Sequence, residues 1–102
     1  MLDEVFAALS DPTRRAVLEK LLAEGPATAT ALAPSFTVTR QAVVKHLGVL
    51  GEAGLVLPAR HGREVRYAAQ TAPLVDAFDW LARAGAQWDN RLARLALHLR
   101  AT

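Results

Sequence analysis

Apolar residues recur along this chain at spacings that change from one stretch to the next. Leu2, Val5, Phe6 and Leu9 fall on one face of a short helix. Asp11 and Pro12 then mark a stop and a restart. Asp11 offers a side-chain oxygen to orphan backbone N–H groups, and Pro12 suits the first helical position, where its missing N–H costs nothing. The next helix is predicted to bury Val17, Leu18, Leu21 and Leu22 and to end at Gly25–Pro26. Thr28 can cap a third helix carrying Leu32, which Pro34 keeps short by removing a backbone donor. After the tight connection "PSFTV", Thr39 caps a fourth helix with Val43, Leu47 and Leu50 at helical spacing, and Gly51 and Gly54 frame its end.

The period then switches. Val65 and Tyr67 alternate with Glu64, Arg66 and Ala68, so "LVLPAR" and "REVRYA" predict a two-stranded hairpin with its tip at His61–Gly62–Arg63. Pro73 opens a long helix that runs to about residue 99. Along it, Leu74, Phe78, Leu81, Gly85, Trp88, Leu92, Leu95 and Leu99 are separated alternately by four and three residues, the seam of helices that pack along one another. A helix of about 27 residues outreaches a body of about 70. The seam, with Leu2, Val5 and Phe6, is therefore expected to join two copies of the chain. Packing of the seam on its own domain is the alternative.

The fourth helix carries the candidate chemistry. In "VTRQAVVKHL", residues 38–47, Arg40, Gln41, Val44 and Lys45 lie off the Val43–Leu47–Leu50 stripe and crowd the first two turns. That is the part of a recognition helix that enters the major groove. Arginine pairs bidentately with guanine and glutamine with adenine, and a helix N-terminus favours a phosphate. Thr39 and His46 complete this candidate set, although His46 beside Leu47 equally suits a packed histidine. The hairpin offers Arg60, His61, Arg63 and Arg66 to an adjacent phosphate or to the minor groove. The expected fold is mainly α: a single winged helix-turn-helix domain over 1–102, with about five helices and a two-stranded wing. Residues 28–53 form its helix-turn-helix, 55–68 the wing and 73–100 the helix that makes the homodimer. Arg15 and Glu19 are spaced as an i,i+4 ion pair, and His98 is expected to be solvated.

Composition narrows the function. A chain of 102 residues supports one small domain, and 52% apolar residues are too many for a disordered one. The absence of cysteine excludes disulfides and thiolate metal sites. No apolar run approaches the roughly 20 residues of a membrane span. An acidic pair, Asp3 and Glu4, stands where a secretory signal would be positive, so a cytoplasmic protein with no membrane contact is expected. The net charge of +2 is uneven: residues 1–35 carry −2, residues 36–68 carry +3 and residues 69–102 carry +1. The middle third, which holds the recognition helix and the wing, is the basic one. With no cysteine nucleophile, scattered histidines and no phosphate-cradling glycine loop, no enzyme, catalytic residue or cofactor is expected.

Three segments, "FAALSDPTRRAVLEKL", "TRQAVVKHLGVLGEAGLV" and "GREVRY", together resemble the arsenic-repressor (ArsR/SmtB) family of bacterial transcriptional regulators. The resemblance covers residues 2–68 in the family's order and spacing. The tail "WDNRLARLALHL" resembles a branch without metal ligands. It implies a homodimeric winged helix-turn-helix that represses by occupying a palindromic double-stranded DNA operator. The family's metal sensors use cysteines near residues 28–34 or Asp/His/Glu ligands on the terminal helix; "TATALAPSF" has no thiolate and the terminal helix has one histidine. No metal is expected, and a metal-responsive repressor is a minor alternative. Departures are Val44, where the family usually has Ser or Thr and which suits a thymine methyl instead, and Gly48 and Gly51, where long charged residues are common. They motivate a second reading, a protein-interaction module with a degenerate DNA face. Any small-molecule or protein effector stays open; Phe6, Phe78 and Trp80 suit either a small pocket or plain packing.

Overall fold

The computed structural model describes residues 2–101. Helix α1 (Leu2–Leu9) is followed by α2 (Pro12–Glu24), a two-residue strand β1 (Ala27–Thr28), the four-residue α3 (Ala29–Leu32) and a 3-10 turn at Ala33–Ser35. Then come α4 (Arg40–Glu52), strands β2 (Val56–His61) and β3 (Glu64–Ala69), and α5 (Ala72–Ala101). Local chemistry explains the boundaries. Asp11, Thr28 and Thr39 each accept a backbone N–H of the first turn of α2, α3 and α4, from Arg14, Ala31 and Ala42 respectively. Pro34 sits inside the 3-10 turn that ends α3. Helix α4 closes with a Schellman motif: Leu55 N–H donates to the Leu50 carbonyl at 2.9 Å and Gly54 N–H to that of Gly51 at 3.0 Å. Gly54 takes the required left-handed conformation at φ +77°.

The core joins every element except the wing tip. Val5 and Ala8 of α1, Val17, Leu18 and Leu21 of α2, and Leu32 of α3 meet Val43, Leu47 and Leu50 of α4, with Leu55, Val56 and Ala77 closing the cluster. No polar side chain among the described residues is buried. Burying a leucine of this set contributes about 1.5–3 kcal/mol.

Four expectations change. The wing is part of a three-stranded antiparallel sheet in the order β1-β3-β2, because Ala27 pairs with Tyr67 and Thr28 with Arg66. Two residues are too few to show a period in sequence. Leu22 is 46% exposed, since it lies about 90° around α2 from the centre of the Val17–Leu18–Leu21 stripe. Val5 is 3% exposed in the single chain and belongs to its core, so it cannot serve the subunit contact assigned to it. Leu2, Phe6 and Leu74 also pack partly against this core. Arg15 does not pair with Glu19: its Nη1 donates to the Leu9 carbonyl at 2.7 Å. Of the two readings left open for Phe6, Phe78 and Trp80, packing describes Phe6 and Trp80, whose rings meet edge to face with centroids 5.8 Å apart, and none of the three lines the hollow beside α1.

The arginines after the α2 cap fasten α1 instead. Arg14 gives Nε to the Ala8 carbonyl at 2.7 Å and Nη2 to that of Ala7 at 3.1 Å. Both carbonyls lie in the last turn of α1, where four are left without helical partners and the dipole favours a cation. Helix α5 behaves differently from the rest. Only Ala77 of it is buried, every residue from Gly85 to Ala101 is exposed, and the molecule extends 70 × 25 × 22 Å.

Candidate nucleic-acid interface

Helix α4 divides its side chains cleanly. Val43, Leu47 and Leu50 are at most 1% exposed, and their burial fixes which way the rest point. Arg40, Gln41, Val44 and Lys45 stand exposed over the first two turns. Thr39 is also exposed, but its Oγ1 accepts the Ala42 N–H at 3.1 Å, so its first duty is the cap. His46 is set apart from these five. Its side chain is 20% exposed and its Nδ1 lies 4.0 Å from Asp11 Oδ2, across the gap to the start of α2. Asp11 is held below its ordinary pKa of 3.8, first by the Arg14 N–H it accepts, then by the charges of Arg14 and His46, against an opposing desolvation.

Arg40 is not a loose surface cation. Its Nε donates to Thr30 Oγ1 on α3 at 2.9 Å. That bond ties down the base of the guanidinium and leaves the two terminal amino groups unspent, the pair that matches two acceptors on one base edge.

The wing's register sorts its cations. Gly62 and Arg63 make the two-residue turn between His61 and Glu64, with Gly62 at φ +63° and no other positive φ in the turn. That is the primed turn type that suits the twist of paired strands. Residues opposite one another share a face, so His61, Glu64 and Arg66 lie on one side and Arg60 on the other with Val65. All four basic residues are exposed, as expected of a DNA contact, but they do not form one patch. Arg66 Nη2 is 3.6 Å from Glu64 Oε1, which offsets part of its charge.

Between α3, the head of α4 and the wing runs a groove of about 520 Å³. Arg40, Val44 and Arg63 reach it, together with Thr30, Glu64 and Tyr67. Gln41, Lys45 and the remaining wing cations lie outside it. Thr30 and Tyr67 were missed in sequence. Thr30 looks like one more small residue of "TATAL", and Tyr67 like an ordinary strand position; only the folding of α3 against α4 and β3 brings Thr30 to Arg40 and Tyr67 to the same groove. Among the described residues, no group of three His, Cys, Asp or Glu side chains is placed to hold a metal ion, and no helix is long and apolar enough to cross a membrane.

Comparison with known proteins agrees with this geometry. A helix-turn-helix domain family matches residues 9–58, from the end of α1 into β2. The transcriptional repressor SdpR of Bacillus subtilis is 34% identical over 91 residues, covering 89% of this chain and all of the relative. The solved structure of an ArsR-like transcriptional regulator from Rhodococcus sp. RHA1 superposes with a TM-score of 0.81 at 46% identity, over 92% of this chain and 88% of that one. A homodimeric winged helix-turn-helix DNA-binding domain from Mycobacterium bovis has a TM-score of 0.62 at 26% identity, over 88% and 80% of the two chains. The burial pattern of α4, the wing beside it and these similarities agree: the chain belongs to the ArsR family of winged helix-turn-helix transcriptional regulators.

Proposed function

We propose that this regulator is a homodimeric cytoplasmic repressor that occupies a palindromic operator, each subunit placing the head of α4 in the major groove and its wing on the flanking backbone. The observation that carries the reading is the split of α4. Its apolar stripe is wholly buried, while Arg40, Gln41, Val44 and Lys45 are presented together on the exposed side. Arg40, steadied by Thr30, reads a guanine; Gln41 reads an adenine; Val44 meets a thymine methyl. Lys45 and the unbonded N–H groups of the first turn hold phosphate, and Arg60, His61, Arg63 and Arg66 extend that hold along the duplex. His46 serves by packing against Asp11, which keeps α4 seated on α2. The exposed seam of α5 supplies the subunit contact, and the repressor and homodimer named among the relatives support it.

Selection from a random duplex pool, at stated salt, tests this. A motif with two-fold symmetry and half-sites about 34–36 Å apart is expected. Arg40→Ala relaxes preference at one position of each half-site, and Lys45→Ala weakens binding across sequences while the dimer survives. A pool that enriches no motif, or variants with unchanged preference and affinity, overturns the reading.

A further inference from the structure

Resting on the major-groove placement just proposed, we infer that Arg40 and Val44 read one base step as a unit, a guanine beside a 5-methylated pyrimidine, so that the regulator accepts 5-methylcytosine where it accepts thymine. Val44 is the one apolar side chain among the four that the head of α4 presents. It is 37% exposed, while the stripe behind it is buried, so packing within the chain does not account for it.

Arg40 and Val44 border the same groove. They stand four residues apart, about 6 Å along the axis of α4. Side chains at such an interval on a groove-bound helix meet successive bases. The Thr30 hydroxyl holds Arg40 by its Nε at 2.9 Å, which fixes the direction from which the terminal amino groups approach a guanine. Val44 then falls on the neighbouring base pair. One turn further on, Gly48 is exposed, and a Cβ there would meet open space. With no side chain at Gly48, α4 can settle close enough for a side chain as short as valine to touch a base edge.

What Val44 senses follows from its chemistry. In the major groove thymine presents the O4 acceptor and the 5-methyl group, and cytosine presents the N4 donor. A serine hydroxyl bonds to either base. Valine has no donor and no acceptor, so it makes no bond to O4 or N4. Only the methyl group contributes, by leaving water for apolar contact. Thymine and 5-methylcytosine carry that methyl at the same place; uracil and cytosine lack it. Burying one such group is worth about fourfold in affinity for one half-site and about 15-fold for the two half-sites of a dimer. Methylation of a cytosine beside the guanine is therefore a covalent mark that the protein converts into occupancy.

Fluorescence anisotropy on the selected duplex, at one salt concentration, tests this. Deoxyuridine is placed at each thymine adjoining the guanine whose preference Arg40→Ala relaxes. Affinity is expected to fall about fourfold for one half-site. The same position is then made cytosine or 5-methylcytosine, each opposite guanine, so that the two duplexes differ by the methyl alone. The methylated duplex is expected to bind about fourfold more tightly. In Val44→Ser both ratios should fall to parity, with thermal unfolding as the check on the fold. Equal binding of thymine and deoxyuridine, or of cytosine and 5-methylcytosine, overturns the inference. So does a selected motif with no thymine beside that guanine, or a Val44→Ser variant that keeps the discrimination. A pool that enriches no motif, or an Arg40→Ala variant with unchanged preference, overturns instead the major-groove reading on which the inference rests.

Discussion

Replacing Arg63 by glutamine isolates the electrostatic part of DNA binding. Arg63 is exposed at the wing turn, and no hydrogen bond or ion pair holds its side chain among the described residues. The strained φ of the turn is carried by Gly62, so Arg63→Gln keeps the hairpin and removes one charge per chain. In the proposed dimer that is two phosphate contacts. Each contributes about 0.9 to the slope of log affinity against log salt, so the slope should become shallower by about 1.8. Across a fourfold rise from about 50 to 200 mM salt, the variant should then lose about 12-fold less affinity than the parent. Fluorescence anisotropy with the selected duplex at several salt concentrations measures this directly. Thermal unfolding serves as control, because an exposed substitution of this kind changes stability by no more than about 0.5 kcal/mol. Arg66→Gln provides an internal comparison: Glu64 at 3.6 Å already offsets part of its charge, so its slope change should be smaller. A slope for Arg63→Gln equal to that of the parent, or a larger change for Arg66→Gln, refutes the placement of the wing tip on the backbone.

Other expectations concern the scaffold that aims these groups. Arg14→Ala leaves the Ala8 carbonyl at the end of α1 without its donor, while the Ala7 carbonyl keeps the Ser10 N–H and hydroxyl, and should lower stability by about 1–2 kcal/mol, read from urea unfolding at fixed protein concentration; a change within the error of the measurement would show the tie to be idle. Gly48 lies exposed inside α4 with open space where a Cβ would go, so Gly48→Ala should raise stability by about 0.8–1 kcal/mol, and a loss would mean that something occupies that space. Asp11 has a folded pKa below its ordinary 3.8, so its contribution is present above that value and is lost as pH falls through the folded pKa. Asp11→Asn should flatten that acid limb of the stability curve; an unaltered limb assigns the acid sensitivity elsewhere.

Much of the fold is local in origin and was legible for that reason. Asp11, Thr28 and Thr39 cap helices wherever they stand, because each needs only an N–H two or three residues ahead. Val43, Leu47 and Leu50 announce a buried stripe by spacing alone, and the stripe leaves Arg40, Gln41, Val44 and Lys45 on the far side. Strand β1 escaped notice because its pairing with β3 bridges some forty residues of chain and leaves no period in two residues. Arg15 was misread because an i,i+4 partner is visible in sequence and a carbonyl at the end of the preceding helix is not.

The sequence by itself determined where helices begin and end, which face of α4 is buried, the even spacing of the α5 seam and the basic character of the central third. These follow from short-range hydrogen bonding and from periodicity. Tertiary structure alone decided that Val5 belongs to the core, that Thr30 steadies Arg40, that His46 turns toward Asp11, and that the wing's cations divide between two faces. Each of these depends on which surfaces meet when distant segments pack, and strand register and helix docking set that only once the core has closed.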